Sequence, residues 1–207
     1  MQYVIPVAVL LFSVIVHEVA HGFVAYLRGD DTAKVMGRLT LNPIYHIDII
    51  GTIILPLFLI LVGAPAFGWA KPVPVNVYKL KNPKTDILFV SAAGVTANFL
   101  LALCAATVMF FIRHFFSSVA VMGSIYVILQ YVIIINVVLL VFNLIPIPPL
   151  DGSRILMLLL PKNLAQQYAK IEQYGFWIIL LLLVTNILWR IIGPFINFLI
   201  KLLSGAF

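Results

Sequence analysis

The chain has 207 residues, of which 63% are hydrophobic and only 10% are charged. Because soluble domains carry about 25% charged residues, this composition excludes an ordinary soluble protein and indicates an integral membrane protein. The net charge is +6, but no basic run carries interleaved aromatic residues, so the excess fits a membrane surface and not nucleic acid.

The first predicted element is an apolar helix over residues 3–27, which is long enough to span a membrane. It contains the sequence HEVAH, with His17 and His21 at the two ends and Glu18 second. Histidines four positions apart share one face of a helix, where they can bind Zn²⁺ and leave the glutamate free as a general base. An ionisable cluster inside a membrane segment is costly, so it predicts a functional site.

The segments that follow are shorter and interrupted. We expect a short β-like stretch at Lys34–Leu41 and a second apolar segment over about Ile49–Val62, which Pro56 makes tilted, kinked or re-entrant. A loop rich in glycine and proline follows over residues 63–85, and Ala70–Val77 within it has an extended, β-compatible composition. If the second segment spans the membrane, the loops on its two sides lie on opposite faces, and their similar numbers of basic residues leave the orientation open.

Two long apolar helices are predicted next, over about Asp86–Ile112 and Val119–Phe142. The sequence NLIPIPPLDG then occupies residues 143–152, and its three prolines exclude a helix. Backbone without helical hydrogen bonds at membrane depth must be satisfied by protein or by a water-filled cavity, so we expect this break to line a cavity. A short helix, Ser153–Leu160, follows the break.

The last predicted elements are an apolar helix over about Tyr174–Ile192 and a short amphipathic piece, Phe195–Leu203, separated by Gly193-Pro194. The predicted fold is therefore an all-α polytopic membrane protein. It has about five to six transmembrane or re-entrant segments and a small extended or β-like loop region. We expect one domain over residues 1–207, with a core of about 1–160 and C-terminal helices over about 161–207.

Two histidines leave a catalytic Zn²⁺ one ligand short, because such sites usually have three protein ligands and a water. Asp151 is the strongest candidate, since it follows the proline-rich break inside an apolar stretch. Considered alone, it is more simply the N-cap of the next helix, but beside an incomplete HExxH site it is predicted to be the third ligand. The acids at segment ends are predicted to be solvated loop charges: Asp30, Asp31, Asp86 and Glu172.

The HEVAH and NLIPIPPLDG sequences resemble the HExxH and NxxPxPxLDG motifs of the site-2 protease family of intramembrane zinc metalloproteases. The resemblance covers about residues 10–160, and GTIILP at 51–56 and FGWAKPVPVN at 67–76 are similar to the compact branch that lacks a PDZ domain. One departure is Val95, which stands where the family often has the proline of Gly-Pro-x-x-Asn, while Asn98 is present.

The resemblance implies a multi-pass enzyme of a prokaryotic cell membrane with one Zn²⁺ per chain. Its implied ligands are His17, His21 and Asp151, with Glu18 as the catalytic base, and the residues alone predict the same assignment. The implied reaction is hydrolysis of peptide bonds within or near transmembrane segments of other proteins. The expected partners are therefore a transmembrane protein substrate and the lipid bilayer, with no nucleic acid.

Other polar residues have two interpretations each. Asn98 and Asn143 are candidates to contact an oxyanion or substrate, with a helix-packing hydrogen bond as an equal alternative. His46 and Asp48 could touch the site or bind a second metal, although an interfacial cap is the simpler interpretation. Arg154 either pairs with a carboxylate or substrate or extends to the membrane surface.

Two other functions fit the same residues less well. A non-enzymatic membrane metal transporter or metal sensor would use the same His and Asp cluster, but transporters usually have repeated helices, and we find no repeat. An inactive scaffold of the same fold is disfavoured because all four predicted active-site residues are present.

Overall fold

The computed structural model describes residues 4–61, 68–115 and 121–205. Within those ranges 79% of the residues are helical and no strand occurs, which confirms the all-α class. The α-helices are α1 (Val4–Leu27), α2 (Thr32–Val35), α3 (Leu55–Leu61), α4 (Pro83–Phe115), α5 (Val121–Asn143), α6 (Asp151–Leu159), α7 (Lys162–Ala169), α8 (Glu172–Val184) and α9 (Ile187–Ser204).

Four helices are long and apolar enough to cross a membrane. They cover Val4–Leu27, Pro83–Phe115, Gly123–Asn143 and Ile187–Ser204. Two shorter apolar helices, Ile49–Leu59 and Glu172–Val184, accompany them. These six apolar elements of the described residues agree with the predicted five to six transmembrane or re-entrant segments.

Helix α4 is the central element, because it packs against α1, α5, α6 and α9. The side chains it buries are mostly small, such as Ala102, Ala105 and Ala106. They face larger buried side chains of α5, including Ile133 and Val137. Small side chains let membrane helices approach closely, since packing and hydrogen bonds rather than water exclusion hold such helices together.

The described residues on the two sides of the second apolar segment lie close together, which favours its re-entrant alternative. The segment begins with a π-helical turn, Ile49–Ile54, which the Asp48 carboxylate caps by accepting a hydrogen bond from the Gly51 N–H at 2.7 Å. The Trp69 N–H donates to the Gly51 carbonyl at 3.1 Å. Residue 69 therefore lies beside the start of the segment. The predicted end of this segment, Val62, lies outside the described residues.

The loop after α1 and the loop before α4 lie on the same face of the molecule, which corrects the expectation of opposite faces for a spanning second segment. The Lys79 ammonium donates to the Asp31 carboxylate at 2.6 Å and holds the pKa of that carboxyl below its usual value. The Arg28 guanidinium lies 3.3 Å from the Asp86 carboxylate. The first ion pair joins the two loops, and the second joins the loop after α1 to the first turn of α4.

Asp30 and Asp86 are buried, so their prediction as solvated loop charges was wrong. Asp30 accepts hydrogen bonds from the N–H groups of Thr32 and Asn76. Asp86 accepts one from the Asn82 N–H at 2.7 Å. Buried carboxylates are tolerated where they are hydrogen-bonded, and these two hold the loops against the ends of the helices. The sequence does not mark them, because several of their partners are backbone N–H groups and Arg28, which pairs with Asp86, is 58 residues away.

The β-like stretch predicted at Lys34–Leu41 is also corrected. Helix α2 covers Thr32–Val35, and Gly37 follows with a positive φ of 65°, a conformation that suits a turn and interrupts a strand. Ala70–Asn76 has no regular secondary structure, and Val77–Lys79 forms a 3₁₀ turn. Hence the part of the glycine- and proline-rich loop that the structure describes is irregular rather than a paired strand.

The C-terminal break lies elsewhere than predicted. Helix α8 ends before Asn186, which adopts the left-handed conformation with φ of 57°, and α9 begins immediately after it. Pro194 lies inside α9 and does not end it. Asparagine is one of the few residues that adopt the left-handed conformation readily, and membrane helices tolerate internal proline, so Asn186 makes the break instead.

Candidate metal centre

Helix α1 holds the two histidines on its buried face. The rings of His17 and His21 meet edge to face, with 4.6 Å between their centroids. Both side chains are buried against α4, because one hydrogen-bonds to Asn98 and the other to the Val90 carbonyl. The four-residue spacing of the sequence therefore produces the predicted pair.

Asp151 reaches the same point from the other half of the chain. It is the first residue of α6, and Leu150, not Asp151, is the N-cap. The Asp151 side chain is only 7% exposed, and its Oδ2 is buried without a hydrogen-bond partner. The next residue, Gly152, lies so close to the proline-rich loop that a Cβ there would overlap the Leu144 carbonyl oxygen. This close contact fixes where α6 begins.

Three side-chain atoms converge between α1 and α6. His17 Nε2 and His21 Nε2 are 3.0 Å apart, and each lies 3.2–3.3 Å from Asp151 Oδ2. These residues form a group of His and Asp side chains whose ligand atoms all lie within 4.8 Å of one another. The structure thus brings together the three ligands that the sequence predicted.

The hydrogen bonds around the histidines determine where their protons lie. His17 Nδ1 is 2.6 Å from the Asn98 amide oxygen, and His21 Nδ1 is 2.6 Å from the Val90 carbonyl oxygen. Both oxygens only accept hydrogen bonds, so in the neutral rings each Nδ1 carries the proton and each Nε2 presents a lone pair. Asp151 Oδ2, which faces both lone pairs, is buried without a hydrogen-bond donor.

This arrangement fits a zinc ion. Three converging lone pairs repel one another unless a cation lies between them, and two imidazole nitrogens with one carboxylate oxygen form a known catalytic zinc ligand set. Ligand atoms about 2.0–2.1 Å from a tetrahedral Zn²⁺ lie about 3.3 Å from each other. The observed separations of 3.0–3.3 Å agree with that value.

Glu18 does not belong to the metal-binding group. Its Oε2 accepts a hydrogen bond of 2.8 Å from the Val73 N–H, in the irregular segment before α4. The same segment is held by Arg38, whose guanidinium donates to the carbonyls of Lys71 and Pro72. Glu18 is therefore adjacent in sequence to a ligand and oriented by a different part of the chain.

Sequence reasoning missed one residue near the site. Asn136 of α5 is fully buried, and its amide oxygen accepts a hydrogen bond from Asn98 Nδ2 at 2.8 Å. Because Asn98 in turn accepts from His17, Asn136 is connected to a metal ligand through one intervening side chain. A single asparagine in the apolar run YVIIINVVLL was the signal that could have identified it.

The hydrogen bonds given for the other polar candidates are made with groups other than the three ligands. Asn143 donates through Nδ2 to the Leu139 carbonyl one turn earlier in α5. His46 is fully buried and hydrogen-bonds through Nε2 to the Thr40 carbonyl, outside the metal-binding group. Asp48 caps the π-helical turn, as its simpler interpretation predicted. Arg154 is exposed.

A helix with HExxH, a distant aspartate and enclosure among membrane-length helices together define a membrane-embedded metalloprotease. The chain is 41% identical to the protein named "Putative zinc metalloprotease YwhC" of Bacillus subtilis, over 97% of this chain and 91% of that protein. It is 32% identical to "Putative zinc metalloprotease Rip2" of Mycolicibacterium smegmatis, over 91% of this chain and 70% of that protein.

The sequence model of Peptidase family M50 matches residues 112–186, which include the Asp151 motif. No solved structure matches the chain. The chain belongs to peptidase family M50, the site-2 proteases, and is a zinc metalloprotease of the membrane.

Proposed function

We propose that this metalloprotease is an intramembrane endopeptidase that hydrolyses peptide bonds within or near transmembrane segments of other membrane proteins. The supporting observation is the depth of the metal-binding group. His17 lies ten residues before the end of α1 at Leu27, which is about 15 Å along a helix axis. Family resemblance suggests two uses, which are release of a membrane-tethered regulator and clearance of leftover membrane segments.

The proposed roles follow from the donor set. His17, His21 and Asp151 hold the Zn²⁺, which when bound supplies Lewis acidity and lowers the pKa of a water. Glu18 takes a proton from the attacking water and later delivers it to the leaving amine nitrogen. The hydrogen bond from the Val73 N–H to Glu18 Oε2 supports this role, because it orients the carboxylate and leaves Oε1 available.

The two candidate oxyanion contacts, Asn98 and Asn143, differ in how much of their hydrogen-bonding capacity is already used. Both polar groups of Asn98 are engaged, one by His17 and the other by Asn136, so we assign Asn98 to orienting His17. Asn143 uses one amide N–H within its own helix and stays a candidate donor. Loss of such a donor costs about 10²–10³-fold in turnover, so unchanged turnover in Asn143→Ala would remove the role.

Substrate must unwind before its peptide bonds become accessible, because a membrane helix satisfies its own backbone hydrogen bonds. We propose that the segment around Val75 pairs with the unwound substrate as an added strand. Pro72 and Pro74 have no N–H, and the Val73 N–H is used by Glu18. Val75 is therefore the position in this stretch whose backbone N–H is offered to a substrate.

Proline substitution tests this pairing. Val75→Pro removes the offered N–H, and we expect cleavage of a model transmembrane substrate to fall at least tenfold with zinc content unchanged. Val77→Pro is the matched control, because Val77 is the first residue of a 3₁₀ turn, where proline is tolerated. Equal cleavage by both variants and the wild type would exclude strand addition at Val75.

The decisive experiment compares the purified wild type with Glu18→Gln in detergent, using a model transmembrane substrate and measuring zinc in both. We expect about one zinc in each protein and cleavage by the wild type alone, because glutamine cannot accept the proton. Cleavage by Glu18→Gln would refute the assigned base. Zinc in both proteins without proteolysis by either would favour the transporter alternative, which metal flux into reconstituted vesicles would then test.

A further inference from the structure

We propose that Asn136 is a positioning residue of the metal centre, which acts through Asn98 to fix the tautomer of His17 and so controls zinc affinity. This inference rests on the zinc site proposed above and is independent of the substrate. It follows from the hydrogen bonds of a connected set of buried side chains on α1, α4 and α5. We call this set, Ser13, His17, Asn98 and Asn136, the polar relay.

Asn136 uses both ends of its side-chain amide in the apolar interior. Its Nδ2 donates to the Val132 carbonyl at 2.9 Å and to Ser13 Oγ at 2.9 Å. Its Oδ1 accepts from Asn98 Nδ2 at 2.8 Å. Asn98, Asn136 and Ser13 are each at most 1% exposed, so water does not substitute for any of these partners.

The Val132 carbonyl determines how the side-chain amides of Asn136 and Asn98 are oriented. A carbonyl oxygen only accepts, so the Asn136 amino group and not its oxygen must face Val132. The Asn136 oxygen then faces Asn98 and requires the Asn98 amino group opposite it. As a result the Asn98 oxygen faces His17, and a flip of either amide would place two oxygens or two amino groups in contact.

The consequence at the metal is a fixed tautomer. Facing an oxygen, His17 Nδ1 must carry the proton, so the Nε2 lone pair points to Asp151 and His21. His21 obtains the same arrangement directly from the backbone carbonyl of Val90. His17 Nδ1 faces the Asn98 amide oxygen instead of a backbone carbonyl. The orientation of that amide is fixed through Asn136 by the carbonyl of Val132.

Zinc affinity tests the proposal without any substrate. Asn136→Leu keeps the approximate volume of the side chain and removes both ends of its hydrogen bonding, which leaves the Asn98 amide free to rotate. Groups that orient a metal ligand from behind are worth about 10–100-fold in metal affinity. We therefore expect a loss of that size in competition with a zinc chelator, measured on the full chain in detergent.

Two further variants separate positioning from packing. Val137→Ala is the matched control, because Val137 is fully buried beside Asn136 on α5 and takes no part in the relay. Ser13→Ala removes one partner of Asn136 but leaves the Val132 and Asn98 bonds, so its loss of zinc affinity should be smaller than that of Asn136→Leu. If Asn136→Leu does not fold, Asn136→Ala takes its place.

Each outcome is decisive. A loss of zinc affinity in the Asn136 variant that exceeds the loss in Val137→Ala, at similar thermal stability, supports the proposal. Equal affinities in these two variants would overturn it and leave Asn136 as a helix-packing residue. If the wild type itself bound no zinc, or if His17→Ala bound it equally well, the metal site of the proposed function would be wrong instead.

Discussion

At the scale of single residues, Gly94 decides how near α4 comes to the histidine pair. A Cβ at this position would lie 2.5 Å from His17 Cε1 and 2.5 Å from His21 Nε2. Real Cβ contacts are essentially never so short, and both rings are held by hydrogen bonds on their other side. The absence of a side chain at residue 94 therefore provides the room that the ligands occupy.

Gly94→Ala should push the two imidazoles out of their positions. We expect at least a tenfold loss of zinc affinity by chelator competition, accompanied by loss of proteolysis. Gly123→Ala on α5 is the control, since a Cβ there would have no atom within 4 Å beyond its own stretch of helix and alanine favours a helix. Retention of wild-type zinc affinity by Gly94→Ala would contradict this explanation.

The sequence was sufficient to predict the three residues that converge in the structure, but not the side chains that support them. His17 and His21 were predicted because their spacing is local and matches the helical repeat, and Asp151 because three prolines isolate it. Asn136 was missed because its partners Asn98 and Ser13 are 38 and 123 residues away. Only tertiary packing of three helices shows that these amides form a connected set.

At the scale of elements, the proline-rich loop before α6 is supported by the two helices that follow it. The Tyr168 hydroxyl of α7 donates to the Pro146 carbonyl at 2.8 Å. Gly175 of α8 packs directly on the loop, where a Cβ would overlap the Pro148 carbonyl oxygen. Helices α7 and α8 therefore help to hold the loop from which Asp151 emerges.

Gly175→Ala should disturb the metal centre from a distance. Because the opposing atom belongs to the backbone, it cannot rotate away, and α8 or the loop must move. We expect lower zinc affinity and a lower unfolding temperature than in Gly123→Ala, a helical glycine with open space around its Cβ position. Equal zinc affinities in the two variants would show that α8 does not position Asp151.

The C-terminal helices illustrate what local sequence patterns miss. Gly193-Pro194 is a strong breaker signal, yet α9 continues through it, with Leu188, Ile192 and Ile196 buried on one side. Tertiary packing along that face outweighs the local preference. The actual break at Asn186 depends on a left-handed backbone conformation that asparagine accepts but does not require, so its sequence signal is weak.

At the scale of the molecule, the loops on the two sides of the second apolar segment lie together, so their basic residues are counted together. The loops before and after it share one face, and together they carry seven basic residues: Arg28, Lys34, Arg38, Lys71, Lys79, Lys81 and Lys84. The other ends of α4 and α9 carry Arg113 and Lys201. Applied to these two groups of residues, the positive-inside rule predicts that the loop-bearing face lies in the cytoplasm.

Cysteine labelling in bacterial cells tests this orientation on a Cys104→Ala background, which removes the single native cysteine. We expect Tyr78→Cys, at a position that is 96% exposed, to react with a membrane-impermeant maleimide only after the cells are opened. His114→Cys, at the far end of α4, should react in intact cells. The reverse pattern would invert the assigned topology.

The wide separation of the metal ligands along the chain has a mechanical consequence. His17 and Asp151 lie in opposite halves of the sequence, so a bound ion acts as a non-covalent staple that closes a loop of more than half the chain. Cross-links that close long loops restrict the unfolded chain more than those that close short ones. The metal that serves the chemistry thereby also ties the first helix to the last third of the protein, and a chelator should loosen the bundle as well as stop the reaction.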